Sequence, residues 1–324
     1  MCIRDRVNLG TPEGTDYWSM RKYLKQFLMD KRVVDFFRPL WWLILNGPIL
    51  TFRPSKSGKA YQKIWDKDNH GSPLRKFTIN QTIKLKKIFE SYKNISIEYA
   101  MRYGTPEIEK TLNKMTKKGC SKILLVPLYP QYAASTSATV KDEVFKWMLK
   151  QRWQPDLRTI APWFDNHNYI KALAETVKKN IINKNKLDKL IVSFHGIPKR
   201  YFMAGDPYHC HCIKSARLLK EELKWPDDKI LVTFQSRFGP EPWLQPYTDE
   251  TIIDLAKQGQ KNIAVVAPGF ISDCLETLEE INVEARELFI ENGGESFEYI
   301  PLSLIHISEP TRPLYISYAV FCLK

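Results

Sequence analysis

The feature that most constrains this chain is a repeated alternation of short β-branched runs with segments of helical length. The runs fall at Val7–Gly10, Ile95–Met101, Ile123–Leu128, Leu157–Ile160, Leu190–Phe194, Ile230–Phe234, Ile263–Val266 and Phe297–Ile300. Helical connections between successive strands imply parallel pairing through right-handed crossovers. A chain of 324 residues holds about two domains of ordinary size. The expected fold class is therefore α/β: two similar doubly wound domains, each a roughly four-stranded parallel sheet flanked by helices. A helix read over Thr136–Gln151 closes the first half, so the domains are expected at 7–155 and 156–301. The stretch between the first helix, Asp16–Met29, and the Ser72-Pro73 helix start reads as loop-rich, because Pro and Gly interrupt it.

Both ends break this pattern. MCIRDR is charged and unpatterned, and the tail beginning LSLIHISEPTRP departs from the segment before it. Residues 1–6 and 302–324 resemble translated sequencing-adapter sequence, are expected to be non-native, and are set apart from the fold. Cys2, His306 and Cys322 go with them.

The net charge of +13 favours anionic partners. The lysines are scattered rather than blocked, and no RNP-like, zinc-finger or helix-turn-helix pattern accompanies them, so no nucleic-acid partner is expected. The cysteines at 2, 120, 210, 212, 274 and 322 have no framework spacing and no signal peptide precedes them. They read as reduced thiols of a cytoplasmic protein. The pair in Tyr208-His209-Cys210-His211-Cys212 lacks a second pair and reads as a helix-opening loop rather than a zinc site. The most apolar run, LWWLILNGPIL at Leu40–Leu50, is about 11 residues, whereas a bilayer span needs about 20. It can be core, line an apolar pocket, or make peripheral contact with a membrane surface.

The strand ends carry the chemistry. GTP, RYG, YPQY, SFHG, QSRFGP and APGFISD each follow a strand, and parallel sheets bring such ends to one edge. None matches GxGxxG or a Walker A loop, so the ligand is not a nucleotide phosphate. Their Tyr, Trp, Phe and Pro content suits a flat, apolar ligand. KLIVSFHGIP delivers His195 from a buried strand into a Gly-Pro turn. After Ile263–Val266, Asp273, Glu276 and Glu280 fall at i, i+3 and i+7, one face of a helix read over Asp273–Glu291. Neutral imidazole plus carboxylates is a ligand set for a transient divalent metal such as Fe²⁺. Too few ligands converge for a permanent metal, and no resident cofactor is expected.

SFHGIP, YPQYAAST, QSRFGPEPWL and GFISDCLETLEEI resemble the ferrochelatase family. So do the opening VNLGTPEGTDYWSMRKYLKQFLMDKRVV and the YQKIW…HGSPL segment, and the resemblance runs in order from about Val7 to Pro301. It implies two Rossmann-like, chelatase-like domains without nucleotide, and insertion of Fe²⁺ into protoporphyrin IX to form haem. By position it implies His195 and Glu276 as catalytic residues, with Asp273 and Glu280 joining them on the metal path. Two pyrrole N–H protons must leave as the metal enters, and an imidazole with a pKa of about 6.5 can accept one at neutral pH. For porphyrin binding the resemblance points to Lys63, Arg102 and Ser135 at the propionates and to Tyr132 and Trp243 near the ring. Some family members carry a [2Fe–2S] cluster; Ala134 stands where cluster-bearing animal enzymes have cysteine, so no cluster is expected. A sister chelatase for coproporphyrin or cobalt, or a non-catalytic tetrapyrrole carrier, remains an alternative at this level.

Overall fold

The computed structural model describes residues 2–66, 71–181 and 186–302, with backbone alone at 2–5. Expectations about His70 and residues 303–324 lie outside the described residues. Strands β1 (Cys2–Gly10), β2 (Ile95–Tyr103), β3 (Lys122–Pro127) and β4 (Asp156–Thr159) form one sheet, in the order β2-β1-β3-β4. A second sheet, ordered β6-β5-β7-β8, holds β5 (Lys189–His195), β6 (Ile230–Gln235), β7 (Asn262–Val266) and β8 (Ser296–Tyr299). Every neighbouring pair is parallel. The two sheets therefore share one doubly wound topology, as expected from the alternation of runs.

By packing, the described residues divide into one unit of 2–129 with 133–161 and another of 130–132 with 162–302. The boundary expected at 155 thus moves. β4 pairs with β3 along Lys122↔Asp156 to Leu125↔Thr159 and belongs to the first sheet. Chain order assigned it to the second half, but register is decided by which edge its backbone groups can reach, and β3 had one free.

In the first unit the helices bury one face each. α1 (Tyr17–Leu28) starts at Asp16, whose carboxylate accepts from the amides of Trp18 and Ser19, both at 3.0 Å. α4 (Pro73–Ile88), α5 (Ile108–Lys117) and α6 (Thr139–Leu149) follow. α5 turns Ile108, Leu112 and Met115 inward against Val7, Ile123, Leu125 and the fully enclosed Trp147 of α6. The Trp147 indole N–H is satisfied by Asn113 Oδ1 at 2.8 Å.

Two expectations for this unit are corrected. The region read as loop-rich is helical: α2 (Arg38–Ile44), a π-helical turn Leu45–Ile49, and α3 (Leu50–Ile64). The breakers are absorbed locally. Gly47 takes a non-helical φ/ψ inside the wide turn, and Pro54 comes as the first turn of α3 ends. The Trp pair splits. Trp41 is buried and donates to Leu28 O at 2.8 Å, while Trp42 is half exposed. The first strand begins at Cys2 rather than Val7, because pairing with β2 and β3 uses backbone groups that every non-proline residue supplies whatever its side chain. Residues set apart from the fold therefore form its first rungs, and Arg6 is buried, donating to Gln81 Oε1 at 2.8 Å.

The second unit packs α7 (His167–Asn180), α8 (Lys199–Met203), α9 (Tyr208–Leu223) and α10 (Thr248–Lys257) around β5 and β7, whose Leu190–Val192 and Ile263–Val266 are fully buried. β5 and β7 lie side by side at the centre, with their following strands on opposite flanks. That is the topological switch point, where a doubly wound sheet opens a crevice at its carboxyl edge.

Candidate active site

His195 is the last residue of β5 and stands at this switch point, half-buried above a wholly buried strand. Its Nδ1 lies 2.6 Å from the Gly196 carbonyl oxygen. A carbonyl can only accept, so Nδ1 carries a proton, and the lone pair of the uncharged imidazole lies on Nε2. Trp243 is tilted against it, ring centroids 6.4 Å apart. The indole is held there by a short backbone ladder in which Leu244 N donates to Ile197 O at 3.0 Å and Lys199 N to Pro242 O at 2.9 Å. Gly196 permits this approach, since a Cβ there would stand 3.1 Å from Trp243 Cε3 and 3.0 Å from Gln235 O.

The segment after β7 is not one long helix. α11 (Leu275–Leu278) is a single turn, a π-helical stretch Glu280–Ala285 follows, and α12 (Arg286–Glu291) completes it. Glu276 and Glu280 share a side of this interrupted helix. Burial, and after it the neighbouring Glu276 charge, push the Glu280 carboxyl above its ordinary range; the His195 charge and hydrogen bonds from Ser236 and Gln235 oppose the shift. His195, Glu276 and Glu280 are thus electrostatically linked. The Cys274 thiol, buried and next to Glu276, is pushed well above its ordinary value and stays protonated.

Asp273 departs from the expected helical face. The chain is extended at Cys274, so the helix begins after it and the i, i+3, i+7 relation does not reach back to Asp273. Its buried Oδ1 accepts from Tyr299 Oη, from the Leu302 amide at 3.1 Å and from Thr277 Oγ1 at 3.3 Å, and Asp273 N donates to Leu302 O at 2.9 Å. Burial raises its pKa, and those bonds offset the shift only in part. Asp273 ties β8 and its exit to the helix entry. Among the described residues no group of three or more His, Cys, Asp or Glu side chains is gathered for a metal ion.

Sequence reasoning missed the layer beneath these groups. Gln235, the last residue of β6, is the register partner of His195. Its Oε1 accepts from Ser193 Oγ at 2.8 Å, and its Nε2 donates to Glu276 O at 2.9 Å and reaches Glu280 Oε2 at 3.4 Å. Ser193 Oγ also lies 3.0 Å from Thr248 Oγ1, whose hydroxyl donates to Thr233 Oγ1 at 2.8 Å. QSRFGP and SFHG were visible as strand ends; their facing each other across one rung was not.

The remaining residues divide between the units. In the second, the Tyr132 amide donates to His211 Nδ1 at 3.2 Å, and the His211 ring stacks on Phe164 at 3.7 Å. Tyr208 to Cys212 lie in the first turns of α9, not in a loop, with Cys212 buried and Cys210 exposed. In the first unit, Lys63 is exposed near the end of α3 and Ser135 is half-buried in the π-helical turn Ala134–Ala138. Arg102 is enclosed. It pairs with Asp30, donates through Nε to Thr139 Oγ1 at 2.7 Å, and approaches Glu143 at 3.5 Å. Tyr103 Oη also donates to Asp30, at 2.9 Å. The Asp30 carboxylate thus braces the end of β2 against α6 and the exit of α1.

Comparison with known proteins bears on these features. A family model described as Ferrochelatase matches residues 6–304. The ferrochelatase of Allorhizobium ampelinum is 56% identical over 296 residues, spanning 91% of this chain and 86% of that protein. That of Rhizobium meliloti is 54% identical over 296 residues, spanning 91% and 87%. Among solved structures, SirB from Bacillus subtilis with Fe³⁺ superposes with a TM-score of 0.52 at 17% identity, covering 78% of this chain and 95% of that one, a likeness of fold.

Proposed function

This chain belongs to the ferrochelatase family, which inserts Fe²⁺ into protoporphyrin IX to form haem, and on that premise we propose that His195 and the Glu276–Glu280 pair carry the reaction. The supporting observation is geometric: at the carboxyl edge of the second sheet His195 is paired across one rung with Gln235, whose amide touches both Glu276 and Glu280. Fe²⁺ is a substrate. Entering the ring, it displaces two pyrrole N–H protons, so charge is conserved as one dication replaces two protons. His195, with Nε2 as its free base, accepts the two ring protons in succession and passes each to water. Glu276 and Glu280 replace waters on the hydrated ion stepwise, which lowers the cost of stripping it.

Trp243, beside His195, and Tyr132 are assigned to the ring, and Lys63 and Ser135 to the propionates. Arg102 and Asp273 enter as braces rather than direct contacts, since their polar atoms already have partners. Ala134 offers no thiolate, in keeping with a reading without a [2Fe–2S] cluster. Peripheral contact of a cytoplasmic protein with a membrane is supported by exposed Phe37, Trp42, Leu43 and Phe52 on the first unit. No helix among the described residues is long and apolar enough to cross one.

The test is anaerobic Fe²⁺ insertion, followed by loss of porphyrin fluorescence, for wild type, His195→Ala and Glu276→Gln. Loss of about 100-fold or more in kcat with porphyrin binding retained is expected of both variants. Turnover within about twofold of wild type in either would remove that residue from the chemistry.

A further inference from the structure

Gln235 is wedged between the strand of His195 and the acidic turn, 6% exposed, and its amide can face only one way. The Glu276 carbonyl it touches at 2.9 Å can only accept, so the NH₂ end must lie there. The other end then receives the Ser193 hydroxyl at 2.8 Å, packed against Thr248 Oγ1 at 3.0 Å. The same NH₂ reaches Glu280 Oε2. Ser236, the next residue, sits at φ 65, the left-handed region that a residue with a Cβ adopts at a cost, and from there its hydroxyl donates to the same Oε2. Two neighbouring residues at the end of β6 thus grip one oxygen of Glu280. Among the described residues no hydrogen bond goes to the other, Oε1.

We propose that Gln235 and Ser236 are positioning residues that fix the rotamer of Glu280, so that Oε1 is presented to the incoming metal ion. The inference rests on the reading of Glu280 as a metal-passing carboxylate. Groups that orient metal ligands typically change metal affinity by about 10–100-fold when removed. Neither residue is asked to touch the porphyrin or to carry a proton, so their loss acts on the metal term alone.

The experiment measures KM for Fe²⁺ and for protoporphyrin IX separately, under anaerobic conditions, in wild type, Gln235→Glu, Ser236→Gly and Glu280→Gln. Gln235→Glu keeps the size and removes the NH₂. Ser236→Gly removes the hydroxyl while relaxing the backbone, so a lower melting temperature cannot explain its effect. Expected is a rise of about tenfold or more in KM for Fe²⁺ in both, with KM for porphyrin within about twofold. If Glu280→Gln raises KM for Fe²⁺ but Ser236→Gly and Gln235→Glu do not, the positioning role is overturned and the metal role of Glu280 stands. If Glu280→Gln leaves it unchanged, the metal role has failed and the positioning role falls with it. Equal rises in both KM values would mark a merely structural contribution and also overturn the proposal.

Discussion

Gly196 and Trp243 are packed so closely that one added carbon would press on both the indole and the neighbouring strand, at 3.1 Å from Cε3 and 3.0 Å from Gln235 O. The bare backbone at the SFHG turn lets the indole lie beside the imidazole. Gly196→Ala should therefore displace Trp243 by a few tenths of an ångström without unfolding the strand. The expected result is a stability loss of about 1 kcal/mol and a severalfold rise in KM for porphyrin, by thermal melts and steady-state kinetics. Unchanged porphyrin KM would mean that the indole does not contribute to ring binding.

Glu280 links the site to the pH dependence of stability. Its folded pKa lies above that of the unfolded chain, mainly through burial, so the native state holds its proton more tightly. That contribution to stability is fully present below the ordinary carboxylate range and is lost as pH rises through the raised value. Glu280→Gln should therefore melt higher than wild type at neutral pH, and the gap should close on acidification. A gap independent of pH would show that the carboxylate is not strained by its surroundings.

For Asp273, a brace and a metal ligand predict different things. Asp273→Asn keeps an oxygen for Tyr299, Leu302 and Thr277, and should hold stability within about 1 kcal/mol with near-normal turnover. Asp273→Ala strips the acceptor from the buried Thr277 and Leu302 donors and the half-buried Tyr299 hydroxyl, and should cost about 2–3 kcal/mol in urea unfolding. A fully folded Asp273→Asn variant without activity would return this carboxylate to the metal path.

Arg102 and Asp30 form an enclosed pair, 10% and 7% exposed at their side chains. Burial pushes the Asp30 carboxyl up, but bonds from Thr139 and the Arg32 amide, with the Arg102 charge, outweigh it, and the net shift is downward. Its contribution to stability is therefore present above the unfolded carboxylate pKa and is lost as pH falls through the depressed folded value. Arg102→Ala should cost about 3 kcal/mol at neutral pH by leaving the enclosed Asp30 carboxylate without its counter-charge, the bonds from Tyr103, Thr139 and the Arg32 amide remaining. A stable Arg102→Ala variant with a raised porphyrin KM would instead make the guanidinium a propionate contact.

The sequence by itself determined the strand count, the parallel pairing and the delivery of His195 and the acidic segment to strand ends. These follow from local periodicity, since burial on a strand or helix repeats along the chain at a fixed interval. What it could not determine were relations fixed by register and by the ends of helices. β4 read as part of the second half because a short strand does not encode which edge it joins. Asp273 read as a member of the acidic face because the helix start turns on one extended residue, Cys274, whose backbone angle periodicity does not record. Gln235 and Glu280 are 45 residues apart, and Asp30 and Arg102 are 72 apart. Polar pairs of this kind have no repeat to betray them: a hydrogen bond depends on distance and direction to within fractions of an ångström, and only the folded chain sets both.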